Sequence, residues 1–300
     1  MKETRSRGRF APSPTGPLHF GSLVAAVGSF LDARRSGGEW LLRMEDLDRP
    51  RCRDGAANDI LRTLEAFGFE WDGEVIWQGR RGTAYSNALE RLRAAGRVFG
   101  CACTRRELAD SALAPDGASV YPGTCRLGLP PSRGRRADRL RVGQALIAFD
   151  DAVQGRLVQN LAEEAGDFVL LRADGLFAYQ LAVVVDDGEQ GITRVVRGAD
   201  LLDSTPRQIL LQQLLNLPTP TYAHLPVAID AAGEKLSKQS CAEPLDPARP
   251  ISSLLAALCF LGQEPPAELA EASLGDFWRW ATAHWELARV PRRRLLPAPE

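Results

Sequence analysis

A doubly wound, parallel α/β fold is predicted for this 300-residue chain by three observations. Short apolar runs alternate with amphipathic helical runs over the first hundred residues, as strand, helix, strand, helix. The first apolar run enters a turn rich in proline and glycine that opens directly onto a helical pattern. The same alternation, broken in the middle of the chain, resumes after residue 165. With 45% hydrophobic residues the chain is able to bury a sizeable core.

Arg7 to Ala11 reads as a short buried strand. Gly21 to Arg35 follows as a helix with Leu23, Ala26, Val27, Phe30 and Leu31 on one face, stopped by Gly37-Gly38. Trp40 to Met44 is the next strand, ending in the acidic turn Glu45-Asp46-Leu47-Asp48 and Pro50. Asp54 is expected to cap a second helix that gathers Ile60, Leu61, Leu64 and Phe67. Thr83 to Ala95 forms another, closed by Gly96.

From Cys101 to Ala165 the rhythm breaks, punctuated by Pro115, Pro122 and Pro130-Pro131, and the segment reads as an insertion. Strands are expected again at Phe168 to Arg172, Ala178 to Val185 and Ile192 to Val196. A helix follows, capped by Ser204 or Thr205, with Pro206 in its first turn and Ile209, Leu210, Leu214 and Leu215 buried. Asp246 to Glu300 reads as mostly helical, with Leu254, Leu255, Leu258, Leu261, Phe277, Trp278 and Trp280 as its apolar residues. The expected division is a Rossmann-like nucleotide-binding core over 1–100 and 166–240, an insertion over 101–165 and a helical region over 241–300.

Composition excludes several classes. A formal net charge of −1 rules out a globally basic nucleic-acid coat. No run approaches the roughly 20 apolar residues of a membrane span, and Met1 to Arg7 lacks the apolar stretch of a signal peptide. A cytoplasmic monomer is the expectation. Six cysteines in such a chain read as thiols or metal ligands before disulfides.

Chemistry is concentrated in two remote motifs. His19-Phe20-Gly21-Ser22 lies where the first strand turns into the first helix, and Lys235-Leu236-Ser237-Lys238-Gln239 lies some two hundred residues later. Glycine lets the backbone approach a phosphate, the helix N-terminus supplies partial positive charge, and lysines meet the remaining phosphate oxygens. Either motif alone is weak, whereas the two together describe a triphosphate held from both sides.

Arg9 to Gly16 with His19 to Ser22, Arg43-Met44-Glu45-Asp46, Val184-Val185-Asp186-Asp187, Val196-Arg197-Gly198-Ala199-Asp200 and Lys235 to Lys238 together resemble the catalytic core of the glutamyl-tRNA synthetases. These are class I aminoacyl-tRNA synthetases with HIGH-like and KMSKS-like signatures. The likeness spans Arg7 to Gln239. Only about sixty residues follow it, too few for a full anticodon-binding region. The shortened tail and the Cys-x-Cys insertion resemble a truncated branch of that family. This resemblance implies ATP-dependent activation of L-glutamate and its transfer to queuosine in the anticodon of tRNA(Asp). A minimal synthetase charging a tRNA 3′ end, a non-catalytic tRNA-binding paralogue and a nucleotidylyltransferase for another small acid are the rival readings.

In adenylation the protein positions reactants and stabilises spreading negative charge. His19, Gly21, Ser22 and Lys238 are the candidate catalytic residues, with Lys235 beside Lys238 for ATP, and Mg²⁺ is expected to arrive with ATP. Arg9 and Arg197 suit a carboxylate, Glu45 suits the ammonium group, and Tyr179 adds a hydroxyl. The resemblance implies Ala11 and Ser13 as further glutamate contacts. Asp46, Asp48, Asp186 and Asp187 read equally well as turn-capping acids.

Cys101, Cys103 and Cys125 supply three sulfurs, which are either reduced thiols in a loop or part of a tetrahedral zinc site with one position open. The resemblance fills that position with Tyr121, and His224 is the alternative. A zinc ion there would be structural. Cys52, Cys241 and Cys259 are expected as small buried residues. Basic residues at 126, 133, 135, 136, 139 and 141, and again at 289 and 292–294, form either a solvated face or a phosphate-binding one.

Overall fold

The structure, a computed structural model, describes residues 5–104, 106–108, 111, 113–114, 117, 120–129, 132–236 and 243–299. Strand β1 (Arg7–Phe10) leads through the Pro/Gly turn into helix α1 (Phe20–Arg35), and β2 (Glu39–Met44) returns beside β1. Their pairing is parallel, from Arg7 opposite Glu39 to Phe10 opposite Leu42. Helix α2 (Ala56–Ala66) is followed by the short strand β3 (Ile76–Trp77), parallel to β2. Helix α3 (Gly82–Ala94) delivers the chain to β4 (Val98–Cys101).

Beyond the cysteines, β5 (Ala137–Leu140) pairs antiparallel with β4. The hairpin β6 (Leu146–Asp151) and β7 (Gly155–Asn160), the short helix α4 (Leu161–Glu164) and β8 (Val169–Leu171) follow. Alternation then returns with α5 (Tyr179–Glu189), β9 (Arg194–Gly198), α6 (Thr205–Leu214), β10 (Thr221–Leu225) and β11 (Val227–Ile229). Helices α7 (Pro250–Phe260) and α8 (Leu274–His284) precede β12 (Leu295–Pro297), which runs parallel to β11.

β9 and β10 are parallel from Arg194 opposite Thr221 to Gly198 opposite Leu225, and β6 joins the other side of β10 at Asp151 opposite Tyr222. Thr193 N–H donates to the Arg7 carbonyl at 3.0 Å, which brings β9 beside β1. The order β3-β2-β1 therefore meets β9-β10-β6-β7 where sequence order reverses. Ligands of open α/β sheets bind outside the carboxyl ends of strands at such a reversal.

Packing explains why α1 sits there. Leu23, Val24, Ala26, Val27, Phe30, Leu31 and Ala33 are all buried, so the helix is apolar nearly all round. Gly28 faces the Leu225 side chain with no room for a methyl group, so α1 lies directly on β10. Trp40 is fully buried, with its indole N–H donating to Ser29 Oγ at 3.0 Å and its ring stacked on Phe10 and edge-on to Phe30. Burying an apolar side chain of this size is worth about 3 kcal/mol.

The expected α/β class with parallel sheets holds, while several local expectations do not. Residues 178–185 are not a strand: they start helix α5. Leu181 to Asp187 are all buried, so the helical period disappears from the pattern and the valine run imitates a strand. Asp54 does not cap α2. Gly55 does so in left-handed backbone, φ 79°, a conformation that glycine adopts without steric cost. Within 101–165 the hairpin of β6 and β7 joins the same sheet as β9 and β10. The last fifty residues are mostly helical as expected, with the short strand β12 added. Leu214 is only half-buried, and Cys259 is exposed on the outer side of α7 and Cys52 half-buried, against expectation; Cys241 lies outside the described residues. Among the described residues no helix is long and apolar enough to cross a membrane.

Candidate active site

Two cavities open at the carboxyl ends of β1, β2, β9 and β10. The smaller, about 230 Å³, is lined by Arg9, Ala11, His19, Gly21, Ser22, Glu45, Tyr179, Arg197, Asp200, Lys235 and Leu236, among others. The larger, about 940 Å³, is lined by Ser13, Asp48, Arg51, Gln78, Arg139 and Arg172, and shares Ala11, Glu45, Tyr179, Asp200, Leu201 and Lys235 with its neighbour. The structure thus places every expected ATP or glutamate residue among the described ones on the walls of these two adjoining cavities. Ser237, Lys238 and Gln239 lie outside the described residues, and the expectation for Lys238 with them.

The two remote motifs meet at His19. Its backbone is extended and its side chain makes no capping bond to α1, so the imidazole lines the cavity instead. A Cβ on Gly21 would lie 3.2 Å from the His19 ring and 3.4 Å from the Leu236 carbonyl, so the absent side chain allows this close approach. On the other flank, Leu245 N–H donates to the Leu18 carbonyl at 3.0 Å and Pro244 bridges His19. Lys235 Nζ reaches Asp200 at 2.5 Å within the cavity wall.

Behind the cavity lies a buried ionic network built on α5. Asp187 accepts from Arg9 Nε at 3.3 Å and pairs with Arg43 Nη1 at 2.9 Å. Asp186 accepts from Arg81 Nε at 2.6 Å, Gln78 Nε2 at 2.7 Å and the Tyr85 hydroxyl at 2.9 Å. Both acids therefore sit inside a helix and anchor arginines, so neither caps a turn. Asp46 does serve a turn, accepting from Gly79 N–H at 2.6 Å. Asp48, facing the larger cavity, pairs with Arg51 and Arg172.

Electrostatics separates Glu45, on the cavity wall, from Asp187 behind it. Burial raises Asp187, but Arg9 and Arg43 outweigh it and hold the carboxyl below the ordinary range. Burial pushes Glu45 up to about 7, because Arg43 at 3.6 Å and the more distant Arg9 compensate only in part. Arg43 is fully buried; desolvation works against its charge, yet Asp187, Glu45 and Asp186 drive its pKa upward.

Arg197 is fixed at several atoms. Nε donates to His224 Nε2 at 3.0 Å, Nη2 to Thr205 Oγ1 at 2.9 Å, and Nη1 to the Tyr179 hydroxyl at 3.3 Å. His224 in turn meets Asp151 through Nδ1 at 2.6 Å. Both His224 nitrogens are thereby engaged in the core, which removes it as a ligand beside the cysteines. Sequence reasoning missed Asp151, read Thr205 only as a possible helix cap, and gave Arg43 no role. Asp151 sits in the hairpin, in a stretch that carries no motif.

Cys101, Cys103 and Cys125 gather with their sulfurs within 4.8 Å of one another, a donor set able to hold a metal ion. The Tyr121 hydroxyl lies 3.5 Å from Cys101 Sγ and 3.8 Å from Cys103 Sγ, and accepts from Cys125 N–H at 2.7 Å. Arg139 lies over the Tyr121 ring, 4.1 Å from its centre. Much of the nearby basic cluster is spent internally: Arg126 pairs with Asp167, Arg133 with Glu107 and Arg135 with Asp138, while Arg141 covers Phe99. Arg294 likewise pairs with Asp203, and Arg292 donates to the Val153 carbonyl.

Comparison with known proteins agrees with this architecture. Residues 6–244 match the family of class I tRNA synthetases (E and Q), catalytic domain. The chain is 63% identical over 292 residues to a glutamyl-Q tRNA(Asp) synthetase of Aromatoleum aromaticum, covering 97% of this chain and 92% of that protein. It is likewise 63% identical over 295 residues to the protein of that name from Dechloromonas aromatica, covering 98% of each. Among solved structures, glutamate-tRNA synthetase from Elizabethkingia anophelis superposes with a TM-score of 0.79 at 25% identity, over 97% of this chain and 67% of that one. With the crevice at the sheet reversal and the match across four-fifths of its length, the chain belongs to the class I tRNA synthetase family for glutamate and glutamine.

Proposed function

We propose that the protein activates glutamate with ATP and transfers it to queuosine in the anticodon of tRNA(Asp). The observation that carries the reading is the meeting of the His19 turn with Leu236 and Pro244 beside a cavity lined by Arg9, Arg197 and Glu45. The printed name of relatives 63% identical over nearly the whole chain supports the choice of acceptor.

In the first step the glutamate α-carboxylate attacks the α-phosphorus of ATP, the bond to the bridging oxygen breaks, and pyrophosphate leaves. Arg9, Tyr179 and Arg197 hold the side-chain carboxylate by charge-assisted hydrogen bonds. Glu45, with Ala11 and Ser13, holds the ammonium end. His19 donates to phosphate oxygens, Gly21 and Ser22 admit them to the N-terminus of α1, and Lys235 and Lys238 balance the charge of the leaving group, with Mg²⁺ brought by ATP. In the second step a ring hydroxyl of queuosine attacks the activated carbonyl, an ester forms and AMP departs. The larger cavity, which shares Glu45 and Tyr179 with the first, is the entry for that acceptor.

The cysteine cluster fits structural zinc, with Cys101, Cys103, Cys125 and Tyr121 as ligands. Tetrahedral zinc with Zn–S bonds of about 2.3 Å separates its sulfurs by about 3.8 Å, and Cys103 Sγ lies 3.7 Å from Cys125 Sγ. Zinc there would order the segment around Phe99 and Tyr121 and take no part in transfer.

The test is incubation with radiolabelled glutamate, ATP and tRNA(Asp), with and without queuosine, followed by nuclease mapping. Label in the anticodon only when queuosine is present supports the proposal. Label at a tRNA 3′ end would assign the rival synthetase activity, and no glutamate-dependent pyrophosphate exchange would refute both.

A further inference from the structure

We infer that His224 is a positioning residue for glutamate binding: clamped by Asp151, it fixes the Arg197 guanidinium at the angle that presents Nη1 to the substrate carboxylate. The inference rests on the reading of Arg197 as a glutamate ligand.

The geometry leaves one protonation pattern. Arginine carries five N–H donors and no acceptor. Its Nε is 3.0 Å from His224 Nε2, so that ring nitrogen must be the bare one. The ring proton therefore sits on Nδ1 and is donated to Asp151 Oδ2 at 2.6 Å. Asp151 is itself held by backbone N–H groups of Val153, Gln154 and His224, at 3.0, 2.8 and 3.1 Å. Neither the imidazole nor the carboxylate shows any solvent exposure. The Tyr222 ring stacks on the imidazole, 6.1 Å between centres and 12° between planes, which fixes its tilt.

The chain of contacts runs from β6 through β10 to β9, and ends at a guanidinium that lines the cavity. Without His224, Arg197 Nε would be buried without an acceptor and the guanidinium free to rotate toward Leu201 and Thr205, which already accept from Nη2. Burial and the adjacent Arg197 push the imidazole down to about 4, against the pull of Asp151, so the neutral form persists at neutral pH.

The test compares His224→Leu with His224→Gln, which retains an acceptor, in glutamate-dependent pyrophosphate exchange. Expected for Leu is a rise in KM for glutamate of about tenfold or more, the scale of one lost hydrogen bond to a charged group. The KM for ATP and the kcat at saturating glutamate should stay within about threefold, and Gln should recover most of the loss. An unchanged glutamate KM, or an equal loss in the ATP parameters, overturns the inference. Should the Leu protein not fold, ¹⁵N imidazole spectra of the wild-type protein decide. A neutral Nδ1–H tautomer of His224 at pH 7 is required, and an Nε2–H tautomer or an imidazolium overturns it. Wild-type protein without glutamate-dependent exchange would instead refute the proposed activity, a separate outcome.

Discussion

Lowering the pH from 8 to 6 should raise the KM for glutamate through a single buried acid. Burial pushes Glu45 up to about 7, and only its carboxylate form attracts an ammonium group. The competent fraction falls from about nine-tenths to about one-tenth over that interval, so KM rises about tenfold. His224, pushed down to about 4, stays neutral throughout and does not contribute. The assay is pyrophosphate exchange at saturating MgATP for wild type and Glu45→Gln. Dividing one profile by the other removes the titration of ATP itself, and the Gln variant should be flat with a high KM at every pH. Stability should run the opposite way. A carboxyl raised above its ordinary range contributes stability below about 4.5, which is lost as pH rises through about 7. Glu45→Gln should therefore melt higher than wild type at pH 8 and close to it at pH 5. A wild-type KM that does not change between pH 6 and 8 would refute the assignment of Glu45 to the ammonium group.

Three further perturbations test other parts of the argument. Arg43→Leu removes the buried cation nearest Glu45 and leaves Asp187 with Arg9 alone, and should cost about 3–5 kcal/mol in urea unfolding; an unchanged midpoint would show that the network is dispensable. Cys101→Ser should lower bound zinc, measured by elemental analysis, to well below wild type and expose 101–125 to protease, whereas equal metal content removes Cys101 as a ligand. Gly21→Val places a branched side chain against His19 and the Leu236 carbonyl, so kcat for pyrophosphate exchange should fall at least about tenfold with the fold intact. A fully active valine variant would mean that the close approach of the two motifs is irrelevant to catalysis.

What the sequence disclosed depended on locality. His19, Gly21, Glu45 and Lys235 belong to short motifs whose residue types already state their chemistry, and the structure brings them to a single cavity. Helices α2 and α3 were legible because each has one apolar face and is followed by a glycine in left-handed backbone, Gly68 and Gly96. Helix α5 was not, since burial on all sides erased its period and three consecutive valines imitate a strand. Asp151 and His224 were illegible for a different reason: 73 residues separate them, and each lies in a stretch without a motif. For the arginines near the cysteines the solvated and phosphate-binding readings stayed open, because sequence shows charge but not its partners.

Asp187 answers to two arginines at once, one on the cavity wall and one sealed in the interior. With Arg9 in the role proposed above, amino-acid preference and fold integrity are coupled through a single carboxylate. A redesign that swaps Arg9 for a neutral residue, to welcome a different side chain, would leave Asp187 leaning entirely on Arg43. Such a change must therefore be made at both positions together, or compensated on α5, before altered selectivity is seen apart from a weakened core.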